Sequence, residues 1–182
     1  MIEIKKLKNL SQAELGELFN RFGDDFSGVM INTVIPIVND VRSRGDGAVR
    51  HYTEKFDGVK LESLLVTDEE MQQAYERIPA GVIAAFEEAK ENIEDFHSRQ
   101  KRENIHYSRA DGTVLGLKYE AIQSAALYVP GGKAAYPSSV LMGAVPARIA
   151  GCEEITVITP PDRTGAIPDA VLAVCKICGL SR

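Results

Sequence analysis

The stretch "AALYVPGGKAAYPSSVLMGAVPARIAGCEEITVIT", Ala125 to Thr159, decides how the chain is read. It opens with a short apolar run, Ala125 to Val129, bounded by Gln123-Ser124 and by Pro130-Gly131-Gly132, which has the length and punctuation of a buried strand. Val140 to Ile149 is helix-like and closes at Gly151, and Glu154 to Thr159 is β-branched enough to form a second buried strand. A last helix starts at Pro168 and ends at Gly179. Strand, glycine loop, helix, strand, helix is the start of a parallel α/β sheet. Such a unit leaves a sheet edge open and wants another parallel strand, so the stop at Ser181-Arg182 reads as an interruption.

A strand ending at Val129 and a helix starting near Ser138 or Ser139 place the loop between them at the carboxyl end of a parallel strand, where ligands of open α/β sheets bind. Gly131 and Gly132 let backbone N–H groups approach a ligand, and the start of a helix favours an anion. Lys133 adds positive charge, Tyr128 offers a ring for stacking, and Ser138 or Ser139 can cap the helix or turn a hydroxyl to the ligand. The loop is not a Walker loop, because Leu127 and Ala134 stand where that motif needs Gly and Ser or Thr, and it is not G-x-G-x-x-G. A plain βα turn, in which the glycines only reverse the chain and Ser138 is a cap, accounts for the same residues.

Upstream, from Leu10 to about Arg102, the period is helical. Ser11-x-x-Glu14 and Thr67-x-x-Glu70 are capping boxes, and the second opens a short helix that stops before Pro79. A helix is expected over Thr33 to Arg44, with Val34, Val38 and Val41 on one face and Pro36 in the first turn. Gly45 ends it, and Asp46 can cap the next, whose stripe is Ala48, Val49, Tyr52 and Phe56. In the longest helix Val82, Phe86, Ala89, Ile93 and Phe96 form one narrow apolar seam facing a partner. From Asn104 the pattern alternates: Ile105 and Tyr107, then Leu115, Leu117 and Tyr119, flank Asp111-Gly112, which signals a hairpin. The expected division is a mainly helical region over 1–103, a hairpin connector over 104–122 and the start of a parallel α/β unit over 123–182. The fold class is α/β, with a helical first half followed by the start of an incomplete parallel sheet.

The composition narrows the partners. Of 182 residues 45% are hydrophobic, enough for one core, and 21 basic against 26 acidic residues give a net charge of −5, the wrong sign for a nucleic-acid surface. No window holds the roughly 18 consecutive apolar residues of a membrane span, and the first residues lack a signal peptide's apolar stretch, so the expected place is the cytoplasm. The three cysteines fit a reducing compartment. Cys175-x-x-Cys178 can spell a redox pair or half a zinc site, but it lies on the stripe Val171, Leu172, Cys175, Cys178, and no second ligand pair accompanies it. Core thiols are the better reading. His97 and His106 have no ligand-spaced neighbours, so no metal ligand and no catalytic residue is assigned.

Two long stretches carry a resemblance. "ALYVPGGKAAYPSSVLMGAVPARIAGCEEITVITPP", Ala126 to Pro161, and "DVRSRGDGAVRHYTEKFDGV", Asp40 to Val59, are similar to the corresponding segments of the histidinol dehydrogenases, in the expected order and spacing. The resemblance runs from about Asn32 to the last residue. It implies enzymes that oxidise L-histidinol to L-histidine through histidinal with two NAD, working as zinc-containing homodimers with incomplete Rossmann-like domains. By motif position it also implies that Tyr128, Gly131 and Gly132 contact NAD and that Ser138 lies near the substrate. Family chains continue well past this point, and the continuation holds the glutamate and histidine that move protons, the zinc ligands and further NAD contacts. The expectation is therefore an amino-terminal portion of such an enzyme, inactive alone. The alternative is a stand-alone nucleotide- or partner-binding module without catalysis.

Overall fold

The computed structural model describes residues 7–19, 26–131 and 135–180. Its contacts divide the chain into two compact units, Met1–Val49 and Arg50–Arg182.

In the first unit a 3₁₀ turn, Leu7–Asn9, precedes α1 (Gln12–Phe19). The capping box is present: Ser11 N–H donates to Glu14 Oε2 at 2.8 Å, and Glu14 N–H donates to Ser11 Oγ at 3.3 Å. α2 (Phe26–Val29), a π-helical turn over Met30–Val34 and α3 (Ile35–Arg44) follow one another without a break. The helix expected from Thr33 thus starts at Phe26, with a widened turn ahead of Pro36. Proline lacks an N–H and crowds the carbonyl four residues back; the wider turn relieves that, and Ile35 N–H reaches Met30 O, five residues back. Val34 and Val38 of the expected stripe are exposed and Val41 is half-buried. Gly45, whose carbonyl accepts from Ala48 and Val49 N–H at 3.0 and 3.3 Å, takes the cap position assigned to Asp46. Asp46 is instead the first residue of α4 (Asp46–Asp57), where it complements the helix dipole; from Arg50 on that helix belongs to the second unit.

The second unit holds the core. α5 (Asp68–Arg77) opens with the other capping box, Thr67 N–H donating to Glu70 Oε2 at 2.7 Å and Glu70 N–H to Thr67 Oγ1 at 3.2 Å. The Thr67 amide, and then the Thr67 hydroxyl at 2.8 Å, both donate to the Glu70 carboxyl and hold it below the usual carboxylate range. α6 (Ala80–Ser98) presents Ile83, Phe86, Ala89 and Ile93 inward, while Val82 and Phe96, the ends of the expected seam, are exposed. A straight helix turns every 3.6 residues, so a seam spaced at 3.5 drifts off the contact line and its ends pass to neighbouring positions.

β1 (Ile105–Ser108) and β2 (Val114–Leu117) form the expected antiparallel hairpin, Ile105 facing Leu117 and Tyr107 facing Leu115. Arg109 N–H on Thr113 O closes the loop at 2.8 Å, and Gly112, at φ 85°, supplies the left-handed residue it needs. All eight strand residues are exposed, so the apolar face of Ile105, Tyr107, Leu115 and Leu117 has no cover among the described residues.

β3 (Ser124–Tyr128) and β4 (Glu154–Ile158) pair in parallel, residue 124 against 154 through 128 against 158. α7 (Pro137–Ala150) crosses between them and α8 (Asp169–Ile177) follows. This is the β-α-β-α order read from the sequence. Val129, Val140, Leu141, Ala144, Val145, Ile155, Val171 and Val174 form the buried centre, with Met71 of α5 joining it. α7 carries apolar side chains on most sides because it lies between the sheet and α6, and it approaches β3 closely: a Cβ on Gly143 would stand 2.9 Å from a Leu127 methyl. The strands, however, are buried on one face only. Ala125, Leu127, Ile155 and Val157 point into the core, whereas Ser124, Ala126, Tyr128, Glu154, Thr156 and Ile158 are exposed. Runs read as buried strands are buried here on one face, under a single helical layer.

Candidate functional site

The carboxyl ends of β3 and β4 lie side by side, and the loops that leave them carry the residues singled out in the sequence. Tyr128 ends β3 opposite Ile158, on the open face, and is 70% exposed. The two side chains make a small apolar platform. The parallel ladder continues one residue further, Val129 N–H donating to Ile158 O at 2.8 Å.

Gly131 is half-buried against the second loop. A Cβ built on it would lie 2.7 Å from Pro160 Cγ and 3.1 Å from Pro160 O, closer than packed atoms allow. Glycine is therefore required here by a protein contact, whether or not a ligand also approaches. Gly132 and Lys133 lie outside the described residues. Ser138 is the second residue of α7 and is exposed, with no hydrogen-bond partner for its hydroxyl among the described residues. The cap position belongs to Tyr136, without a side-chain capping bond, because the helix starts at Pro137, earlier than the apolar pattern indicated. Ser138 and Ser139 are thus first-turn residues, and neither caps.

The second loop, residues 159–168, is knotted on Asp162. Its Oδ1 accepts from Thr164 Oγ1 at 2.6 Å, Thr164 N–H at 2.8 Å and Ala166 N–H at 3.1 Å. The Thr164 hydroxyl first, then the Thr164 and Ala166 amides, hold the Asp162 carboxyl below the usual aspartate range. Sequence reading missed this loop as part of the site. The signal available was Asp-x-Thr-Gly after Pro160-Pro161, a turn that an aspartate can organise.

The histidines lie elsewhere. His97 belongs to α6, its Nδ1 2.8 Å from Gln100 Oε1, and lines a concavity of about 150 Å³ with Pro146, Ile149 and Ala150. Ile149 and Ala150 end the crossover helix just before β4 begins, so this concavity sits at the amino end of the strands, away from Tyr128 and Gly131. His106 lies on the hairpin opposite Gly116. A wider hollow, about 460 Å³, is lined by Tyr75, Glu87, Lys90, Glu91, Lys176 and Ile177 and includes no residue of the two loops. Among the described residues no three of His, Cys, Asp or Glu stand where they could share a metal ion, and no chemical step is assigned to zinc here. The carboxyl edge of the sheet brings together the Tyr128 ring on an open face, a glycine at a strand's end and the start of a fourteen-residue helix.

Cys175 and Cys178 are a buried and a half-buried thiol of α8 and its cap. Burial, then the neighbouring Cys178, pushes Cys175 up to about 12; burial, with Glu94 adding to it and Lys90 and Arg148 opposing it, pushes Cys178 up to about 11. A reactive pair needs the opposite shift.

The second unit is thus the start of a Rossmann-like sheet with two loops converging at its carboxyl edge. The family behind it follows from comparison with known proteins. The histidinol dehydrogenase family model matches residues 22–182, and the chain belongs to that family. It is 42% identical over 179 residues to the histidinol dehydrogenase of Methanocaldococcus jannaschii, covering 98% of this chain and 42% of that one, and 47% identical over 148 residues to that of Geobacillus kaustophilus, covering 81% and 35%. A crystal structure of histidinol dehydrogenase from Elizabethkingia anophelis superposes with a TM-score of 0.80 at 33% identity, covering 84% of this chain and 35% of that chain. The chain therefore spans about 35–42% of the length of these relatives. No helix among the described residues is long and apolar enough to cross a membrane.

Proposed function

We propose that the chain is the amino-terminal portion of a histidinol dehydrogenase, which oxidises L-histidinol to L-histidine through histidinal with two NAD, and that it contributes one part of the nucleotide site without catalysing the reaction by itself. The observation that carries this is the family match over 22–182 at about two fifths of the relatives' length or less. NAD, when bound, accepts hydride from the substrate carbon. In this reading Tyr128 packs its ring against the nucleotide, Gly131 and Gly132 bring the backbone to it, and Ser138 places a hydroxyl near the substrate. Residues 1–103 belong to a first α/β domain, 104–122 connect, and 123–182 begin the nucleotide-binding domain.

Each oxidation also needs a base: alcohol oxidation releases a proton, and the aldehyde step needs an activated water. His97 is bonded to Gln100 at the amino end of the sheet, and His106 is on the hairpin. The proton-moving residues and the zinc ligands belong, in this reading, to the remainder of a longer cytoplasmic, homodimeric enzyme that handles small molecules and neither nucleic acid nor membrane.

The 182-residue chain is expected to form no NADH from L-histidinol and NAD with zinc added, and to bind NAD more weakly than micromolar by calorimetry. The intact mass and activity of the native gene product provide the comparison. A longer, active product supports the reading. NADH formation by the pure 182-residue chain overturns its second half, and a native product of this length with no activity supports a binding module instead.

A further inference from the structure

The loop after β4 is braced from two sides. Its Asp162 knot is closed by backbone bonds as well, Asp162 N–H to Ala166 O at 2.8 Å and Gly165 N–H to Asp162 O at 3.0 Å. On one side Gly165 lies against the side chain of Val59, whose Cγ1 would be 3.3 Å from a Cβ there, and Val59 is itself buried. On the other side Pro160 rests on Gly131, its ring and its carbonyl both at the limit of approach. Val59 thus meets the knot at Gly165, and Pro160, two residues before Asp162 in the chain, meets Gly131 on the strand-to-helix loop. The Val129 bond to Ile158 O fixes the first loop's departure from the sheet at the same edge. Residues 129–131 have little freedom left: a hydrogen bond holds them from beside and a proline ring from the flank.

We propose that Pro160 and Asp162 are positioning residues of the nucleotide site, Pro160 by setting where Gly131 leaves the sheet and Asp162 by holding Pro160 in place. This rests on the reading of Gly131 as part of an NAD loop. Neither residue need touch the nucleotide. Their role is to present the backbone at Gly131 at one height above the strand ends, which a ligand held by backbone N–H groups requires. Gly131 is small because Pro160 occupies the space of its side chain, so the two positions form a pair that must be changed together.

The test uses the full-length gene product and reads NAD affinity by calorimetry, KM for NAD and for L-histidinol, and thermal unfolding. Gly131→Ala is expected to raise the Kd for NAD about tenfold. Adding Pro160→Ala to it recovers part of that loss, since the ring atom at 2.7 Å is then gone. Asp162→Ala raises KM for NAD and leaves KM for L-histidinol unchanged. Asp162→Asn, which keeps the Oδ1 acceptor, restores wild-type behaviour, a rescue that separates positioning from loss of fold. Should Gly131→Ala fail to fold, the Asp162 pair still decides. Wild-type NAD binding with Asp162→Ala and Pro160→Ala unchanged overturns this proposal alone, as does a double variant no better than Gly131→Ala. Absence of NAD binding by the wild type overturns the nucleotide reading and this proposal with it.

Discussion

Iodoacetamide at pH 8 is expected to modify Cys175 in the folded chain about three orders of magnitude more slowly than in guanidinium, and Cys178 more than two orders more slowly. Only the thiolate reacts. With Cys175 at about 12 and Cys178 at about 11, the thiolate fractions at pH 8 are on the order of 10⁻⁴ and 10⁻³, against roughly 0.2 for an unfolded cysteine. Cys175 is 6% exposed, so restricted access slows it further. Mass spectrometry of tryptic peptides reads both sites at once, and rapid labelling of either in the folded state would revive a redox role for the pair. The same burial sets a pH dependence. Each thiol's folded value, about 12 and about 11, lies above the roughly 8.5 of an unfolded cysteine, so its contribution is fully present below about pH 8.5 and falls as pH rises toward 11 to 12, by up to about 1.4 kcal/mol per pH unit for the buried Cys175 and by less for the half-buried Cys178. Denaturant titrations at pH 8 and pH 10.5 should show this as a lower midpoint at the higher pH, and equal midpoints would contradict it.

Leu141→Ala is expected to cost about 2–5 kcal/mol, a large share of the roughly 5–15 kcal/mol that holds a domain folded. Leu141 is 3% exposed on α7, within the cluster that joins α7, β4 and α8, and a truncated side chain leaves a void that close-packed neighbours refill only in part. Met142, the next residue, is 57% exposed, and Met142→Ala should stay within about 0.5 kcal/mol. Urea unfolding of the two variants side by side checks both. Similar losses would mean that α7 faces the core differently from the packing described.

Local signals were the most legible. Both capping boxes, the Asp111-Gly112 hairpin and the strand-helix-strand-helix order each rest on residues a few positions apart, and the structure bears them out. Features that depend on distant partners were not legible. An apolar run such as Ala125 to Val129 reports that a strand is buried but not on how many faces, since that depends on which layers arrive elsewhere in the chain. The contact line of α6 rotated by one position at its ends for the same reason: Ile83, rather than Val82, meets the core. Pro36 was read as a helix-start residue. Within a continuous helix it is instead accommodated by the π turn ahead of it. At the candidate site, Tyr128 and Gly131 stand where strand and loop boundaries place them. The need for glycine at 131 comes from Pro160, twenty-nine positions further on, which no local pattern records.

The pairing of α5 with α8 bears on how the protein is made. The two helices pack along each other, and a two-pronged ion pair joins their ends: Arg77 Nε and Nη2 to Asp169 Oδ2 and Oδ1 at 2.9 and 2.6 Å, across 92 positions of sequence. A ribosome adding 5–20 residues per second takes roughly 5 to 20 s to cover that distance. Throughout that interval α5 has emerged with Met71 and Ala74, buried in the finished fold, still waiting for their partner. The inner face of α5 is therefore covered only once α8 has left the exit tunnel, and until then the nascent chain offers chaperones an apolar stripe that the folded protein no longer shows.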